Sequence, residues 1–176
     1  MKYKIAVTGP ESSGKTTLAL ALTKQLKATF TLEYARVYLQ QRNGKYEESD
    51  LREIACGQLA LEKTDALRAD TFQICDTDML VLKIWSEIRY GRTDPFIEEA
   101  LQRQRYDLTL LCVPDIPWEP DPLRENPDDR MELLERYRIE LTKAGISFVE
   151  IDGLDFSSRL KRALEAIHRV CIANPG

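Results

Sequence analysis

The sequence predicts an α/β fold with a mainly parallel sheet of about five strands and helices on both faces. Two observations carry that prediction. Short apolar runs alternate with helical patterns from one end of the chain to the other, which is the order of a layered α/β domain. The runs themselves are nearly continuous in apolar residues, as strands covered on both faces are.

The elements follow in order. Tyr3–Thr8 is a first strand. Gly14 to Lys27 carries Leu18, Leu20, Ala21, Leu22 and Leu26 in a helical pattern. A short run, Phe30–Leu32, ends at Glu33, and the helical stretch Tyr34–Arg42 is stopped by Asn43-Gly44. Ser49 is the expected N-cap of a long helix reaching about Ala69, because acids follow it in the first turn. Phe72–Cys75 is a third strand, and Met79–Arg89 a helix ending near Gly91. Pro95 opens another helix, through Gln104. Leu108–Val113 is the clearest buried strand. Pro114 to Asp129 holds five prolines and many charges and reads as a loop. Arg130–Lys143 is a helix ended by Gly145, Ser147–Ile151 a last strand and Ser157–Val170 a last helix. No repeat or linker divides the chain. Neither side of the proline-rich loop would support a sheet alone, so residues 1–176 are expected to form one domain with a lid or substrate loop at about 114–130.

Composition narrows the class. The net charge is −4, whereas a general nucleic-acid binder carries a basic surplus. No apolar run approaches the roughly 18 residues of a membrane helix. The N-terminal apolar stretch is short and reads as a strand, not a signal peptide. Cys56, Cys75, Cys112 and Cys171 form no CxxC pair, and Cys75 and Cys112 sit in apolar runs. Buried thiols in a reducing, cytoplasmic setting are expected. Oligomeric state is not legible.

The chemistry begins at Gly9-Pro10-Glu11-Ser12-Ser13-Gly14-Lys15-Thr16, which fits G-x-x-x-x-G-K-[ST] without mismatch. Gly9 and Gly14 permit backbone angles that other residues resist. The N–H groups of the loop then turn inward to cradle a phosphate, and the positive end of the following helix adds to the field. The expected nucleotide-binding set is Gly9, Glu11, Ser12, Ser13, Gly14, Lys15, Thr16 and Thr17. Lys15 reaches the β- and γ-phosphates and Thr16 ligates Mg²⁺. The predicted cofactors are ATP and Mg²⁺. No Asn/Thr-Lys-x-Asp guanine signature is seen, which favours ATP over GTP.

Active sites of such folds lie at the carboxyl ends of the strands. Asp76 and Asp78 follow the third strand and Glu33 follows the second. Asp76 either holds the metal or takes a proton from a substrate hydroxyl. Asp78 shares such work or caps the helix beginning at Met79. Glu33 and Arg36 are substrate contacts or a solvated helix start. In the proline-rich loop, Arg124 and Arg130 close over ATP as catalytic lid arginines or pair with neighbouring acids. Trp118 stacks on a flat ring or anchors the loop. His168 is expected to be structural, and Trp85 and Tyr90 to lie in the core.

Together Gly9–Thr17, Glu33-Tyr34-Ala35-Arg36, Asp76-Thr77-Asp78 and Trp118-Glu119-Pro120-Asp121-Pro122-Leu123-Arg124 resemble the ribosylnicotinamide kinase domain of the NadR-type proteins of bacterial NAD synthesis. The resemblance runs from about residue 3 to residue 168. It implies a P-loop NTPase three-layer sandwich that phosphorylates the 5′-hydroxyl of nicotinamide riboside with ATP. Lys15, Asp76, Arg124 and Arg130 would then be catalytic. Thr16 and Asp76 would hold the metal, and Glu33, Arg36, Asp78, Trp118 and Asp121 would lie near the riboside. Multifunctional members join this region to an adenylyltransferase region, sometimes with a DNA-binding region, and 176 residues leave room for neither. The expected product is the mononucleotide, not NAD. A flat, cationic pyridinium suits an aromatic face with acids beside it, which Trp118, Glu119 and Asp121 supply. Two alternatives stand beside this one. A kinase for a neutral nucleoside would recruit amides such as Gln58 or Gln73. An NTPase switch would need a water-positioning group and no enclosed acceptor pocket.

Overall fold

The computed structural model describes residues 2–120 and 129–172. Five strands, β1 (Tyr3–Thr8), β2 (Thr29–Thr31), β3 (Phe72–Asp76), β4 (Leu108–Cys112) and β5 (Phe148–Ile151), form one sheet in the order β2-β3-β1-β4-β5. All four neighbouring pairs are parallel. Val7 pairs with Asp76, Thr8 with Leu111 and Cys112 with Ile151. The carboxyl ends of the strands therefore share one edge, and each described residue of the predicted site ends or follows one of them.

Two helices, α1 (Lys15–Leu26) and α7 (Phe156–Ile167), cover one face. Leu18, Leu22, Ala163 and Ile167 pack there against Ile5, Val7, Ile74 and Leu110. The other face carries α2 (Tyr34–Gln41), α3 (Glu48–Arg68), α4 (Met79–Tyr90), α5 (Pro95–Arg103) and α6 (Arg130–Lys143). Two apolar clusters hold this layer. One joins α2 to α5 through Leu51, Ile54, Met79, Leu82 and Ile97. The other seats α4 and α6 on β4 through Leu80, Ile84, Leu111, Leu134 and Leu141. Residues of β3 and β4 are buried throughout, which is why they read as continuous apolar runs.

Two boundaries differ from expectation by more than one residue. The long helix begins at Glu48, and Ser49 is not its cap. Glu47 and Asp50 make a reciprocal capping box instead, with the Glu47 N–H donating to Asp50 Oδ2 at 2.8 Å. A carboxylate can fill either role in a box usually written with Ser and Glu. The last helix ends at Ile167 and passes into a π-type turn, His168–Ile172. Among the described residues no helix is long and apolar enough to cross a membrane.

Candidate active site

The loop after β1 is built by close approach. Gly9 has φ +135°, and a Cβ there would lie 2.6 Å from the Cys112 carbonyl oxygen. Only glycine lets the end of β1 pass the end of β4 so closely. Ser12 (φ +50°) and Gly14 (φ +79°) turn the loop back into α1, and no acid in the first turn of α1 offsets its positive end. The Ser13 hydroxyl donates to the Pro10 carbonyl at 2.7 Å. Lys15 Nζ donates to the carbonyls of Gly9 at 2.9 Å and Pro10 at 2.8 Å, which holds the ammonium across the mouth of the loop.

Asp76 ends β3 beside Val7 and is 2% exposed. The Thr16 side chain stands close enough to its carboxylate to favour the ionised form. Asp76 Oδ1 has no hydrogen-bond partner among the described residues. Burial, and then the nearby charge of Glu33, push the carboxyl up to about 6. The next residue, Thr77, has φ +91°, a backbone region that a β-branched residue seldom enters and that clusters at functional sites. Asp78 is turned inward. Its Oδ1 accepts from the Thr8 hydroxyl at 2.9 Å and from the Val81 N–H at 3.2 Å, so it caps α4. Of the two readings open for Asp78, the geometry realises the cap.

Glu33 and Arg36 both line a cavity of about 340 Å³ shared with the loop. Arg36 Nε lies 3.8 Å from Glu33 Oε2. Val81, Ile84 and Trp85 of α4 form the opposite, apolar wall. Trp85 packs against the core cluster of this layer, as the sequence suggested, and also lines the cavity. Its Nε1–H donates to the Tyr46 hydroxyl at 3.0 Å. Tyr90 does pack in the core. Gln58 and Gln73 do not face the cavity as spare amides; both are buried and bonded within the fold.

The described part of the proline-rich loop folds back on the phosphate loop. The Glu119 N–H donates to Ser12 Oγ at 3.0 Å. Arg130 Nη1 donates to the carbonyls of Ser12 at 3.1 Å and Ile116 at 3.0 Å. Its guanidinium stands 5.7 Å from the Trp118 ring centroid, a cation–π geometry. Asp121 and Arg124 lie outside the described residues.

Sequence reasoning missed Arg159. This α7 arginine is 3% exposed. Its Nη2 donates to the Ser13 carbonyl at 2.7 Å, and its Nη1 to Asp115 Oδ1 at 2.7 Å and the Val113 carbonyl at 3.2 Å. Asp115 Oδ2 in turn accepts from the Gly153 N–H at 2.7 Å. One side chain thereby ties together the phosphate loop, the end of β4 and the turn after β5. A signal existed: Arg159 continues the buried stripe Ala163, Ala166 and Ile167 of α7, where a lone charge needs a buried partner. Beside it, Leu154, 81% exposed, and Phe156 line the cavity as apolar residues open to solvent.

The family described as an AAA domain matches residues 4–159. Two curated relatives carry the name trifunctional NAD biosynthesis/regulator protein NadR. The one from Escherichia coli (strain K12) is 30% identical over 172 residues, spanning 94% of this chain and 42% of that protein. The one from Salmonella typhimurium (strain LT2) is 29% identical over 170 residues, with 93% and 41% covered. The chain thus spans less than half the length of these relatives. Among solved structures, a NadR protein in complex with NAD and AMP-PNP superposes with a TM-score of 0.78 at 23% identity, over 99% of this chain and 51% of that one. A NadR protein in complex with NR gives 0.78 at 22%, over 98% and 52%. Deoxyadenosine kinase from M. mycoides with bound dATP gives 0.60 at 15%, over 94% and 99%. These likenesses show the fold, a P-loop α/β sandwich shared with nucleoside kinases.

Proposed function

The chain belongs to the AAA domain family, and from that premise we propose that it is an ATP-dependent kinase of nicotinamide riboside. The 5′-oxygen of the riboside bonds to the γ-phosphorus of ATP as the β–γ bridging bond breaks. The hydroxyl proton is released to solvent, and ADP and nicotinamide mononucleotide result. The observation that carries this reading is the meeting of the phosphate loop, through Thr16, with a buried acid at the end of β3, beside a roofed cavity. The names of the NadR relatives point to the substrate, since one solved NadR protein holds NR and another holds NAD and AMP-PNP.

The residues take their roles from position. The loop N–H groups and Lys15 hold the β- and γ-phosphates. A Mg²⁺ ion takes oxygen ligands and is commonly shared between one or two carboxylates and the phosphates. The unpartnered Asp76 Oδ1 and the Thr16 hydroxyl fit that donor set, so we assign Asp76 to the metal and not to the acceptor proton. When bound, the ion offsets charge on the transferring phosphoryl. Leu154 and Phe156 give a flat apolar contact for the adenine. Glu33, Arg36 and the α4 wall form the riboside side, with Asp121 and Trp118 closing from the loop. Arg130 and Arg124 belong to a lid at 114–130, which excludes water from the reaction. Residues 1–176 act as one kinase unit on a small molecule in the cytoplasm, without a nucleic-acid partner.

The test is ADP release with ATP and Mg²⁺ across nicotinamide riboside, uridine, cytidine, thymidine, adenosine and no acceptor, with product mass measured. Release that depends on the riboside, with a product one phosphoryl heavier, supports the reading. Release with another nucleoside would keep a kinase but change its substrate, a reading the likeness to deoxyadenosine kinase favours. Release with no acceptor dependence would overturn both.

A further inference from the structure

We propose that Glu62, in the C-terminal half of α3, is a positioning residue for the acceptor side of the site. The inference rests on the kinase reading above for what the acceptor side does, but not for the geometry. Glu62 is 2% exposed and does not line the cavity. Its carboxylate accepts from Gln104 Nε2 at 3.1 Å on both oxygens, from Gln58 Nε2 at 3.4 Å, from the Tyr106 hydroxyl at 3.1 Å and from Lys4 Nζ at 2.6 Å. The two glutamines do not stop there. Gln58 Oε1 accepts the Tyr34 N–H at 2.8 Å, and Gln104 Oε1 accepts the Met79 N–H at 3.0 Å.

Those two N–H groups open α2 and α4. The first N–H groups of a helix have no partner within it and need one from elsewhere. Tyr34 follows Glu33, and Met79 follows the Asp76-Thr77-Asp78 turn. Glu33 occupies the N-cap position of α2 yet makes no side-chain cap. Gln58 supplies a bond to the start of α2 from outside, which leaves the Glu33 carboxylate to face the cavity with Arg36. Packing reinforces the bond. A Cβ at Gly57 would lie 2.1 Å from Tyr34 Cε1, so the bare helix at Gly57 is what admits the Tyr34 ring.

The chemistry of the donors fixes the direction of both relays. A backbone N–H only donates, so each glutamine must turn its carbonyl to the helix start and its NH₂ away from it. An ionised carboxylate only accepts, so Glu62 matches both NH₂ groups at once. One buried charge thereby orients two amides, and the amides seat the two helix starts that bring Glu33 and the α4 wall of Val81, Ile84 and Trp85 to the same cavity. The phosphate loop has its own supports in Arg159 and Arg130, so the relay separates acceptor positioning from nucleotide binding.

Glu62→Gln tests this. It keeps size but offers one acceptor oxygen and two N–H donors against two amides that already donate. We expect kcat/KM for nicotinamide riboside to fall at least ~10-fold, with KM for ATP within ~2-fold of wild type. Amide exchange measured by NMR without any substrate should speed up at least ~10-fold at Tyr34 and Met79. The swap Glu62→Gln/Gln104→Glu should restore Met79 protection and most of the riboside kcat/KM, because the carboxylate at position 104 then accepts from both the Met79 N–H and the new amide at position 62. Gln58→Leu, which removes the Tyr34 arm alone, should raise riboside KM without raising ATP KM, and it stands in if Glu62→Gln fails to fold. The proposal falls if riboside kcat/KM stays within ~2-fold, if ATP KM rises in parallel with riboside KM, or if the swap restores neither quantity. If the wild type turns over no riboside, the kinase reading fails by itself, and the two exchange rates still decide whether Glu62 governs the helix starts.

Discussion

Arg159 Nη2 donates to the Ser13 carbonyl oxygen at 2.7 Å, across 146 residues of sequence. The bond holds the phosphate loop from behind and uses a carbonyl, so it leaves the loop N–H groups turned toward a nucleotide. Arg159→Met should therefore loosen the loop and strip Asp115 of its charged partner, leaving only the Gly153 N–H. Breaking a buried pair costs about 3–5 kcal/mol, and Asp115 is partly exposed, so a loss nearer ~2 kcal/mol is expected. ATP should bind at least ~10-fold more weakly. Adding Asp115→Asn should recover stability and not ATP affinity, as measured by urea denaturation and nucleotide titration.

Asp76 and Asp78 are both raised to about 6, in each case first by burial. Unfolded aspartates titrate near ~3.9. The folded chain therefore binds more protons between these values, and the stability these carboxyls contribute at low pH is lost as pH rises through about 6. Without nucleotide or metal, Asp76→Asn should be more stable than wild type at pH 8 by on the order of 1–3 kcal/mol, and nearly equal at pH 4. Riboside-dependent ADP release should fall at least ~100-fold in the same variant. Asp78→Asn should show a similar stability shift with far more turnover retained, because asparagine still caps α4. Denaturation at the two pH values with a coupled assay separates the two aspartates.

Gly9 and Gly145 both have positive φ, but only Gly9 is crowded. A Cβ at Gly9 meets the Cys112 carbonyl at 2.6 Å, whereas one at Gly145 (φ +65°) meets nothing within 4 Å. Gly145→Ala should cost about 1–2 kcal/mol, the ordinary penalty for a left-handed L-residue. Gly9→Ala should cost several kcal/mol or prevent folding, since backbone must move. Thermal melts of the pair give the contrast directly.

Lys15 is held by the Gly9 and Pro10 carbonyls at the mouth of the phosphate loop. Lys15→Met should leave the melting temperature within a few degrees and lower kcat by ~10²–10³-fold, the scale of losing one preorganised charge donor. Steady-state kinetics beside a melt checks both halves.

Much of the architecture was legible because its signals are local. The alternation of apolar runs with helical patterns placed all five strands and the main helices, and Asp78, Pro95 and Gly91 stand at the helix ends their chemistry suits. The phosphate loop was legible for the same reason, since its eight residues carry their own backbone requirements. Ser49 misled because a serine before acids matches a cap as well as Glu47 with Asp50 does. Trp85 packs against the core as expected, but its cavity side was not legible, because an aromatic on an apolar helix stripe looks alike in both settings.

By itself the sequence determined the α/β class, the order of the elements, the phosphate loop and the set of acids at strand ends. Tertiary structure alone decided how each acid is placed: Asp76 stands near Thr16 with one oxygen unpartnered among the described residues, while Asp78 turns in to Thr8 and caps α4. It also decided that Arg159 supports the loop and that Glu62 orients two helix starts. The reason is distance along the chain. Helix period, strand burial and turn chemistry arise within a few residues, but a buried charge is stable only where distant groups converge on it, and that convergence exists only in the folded sheet.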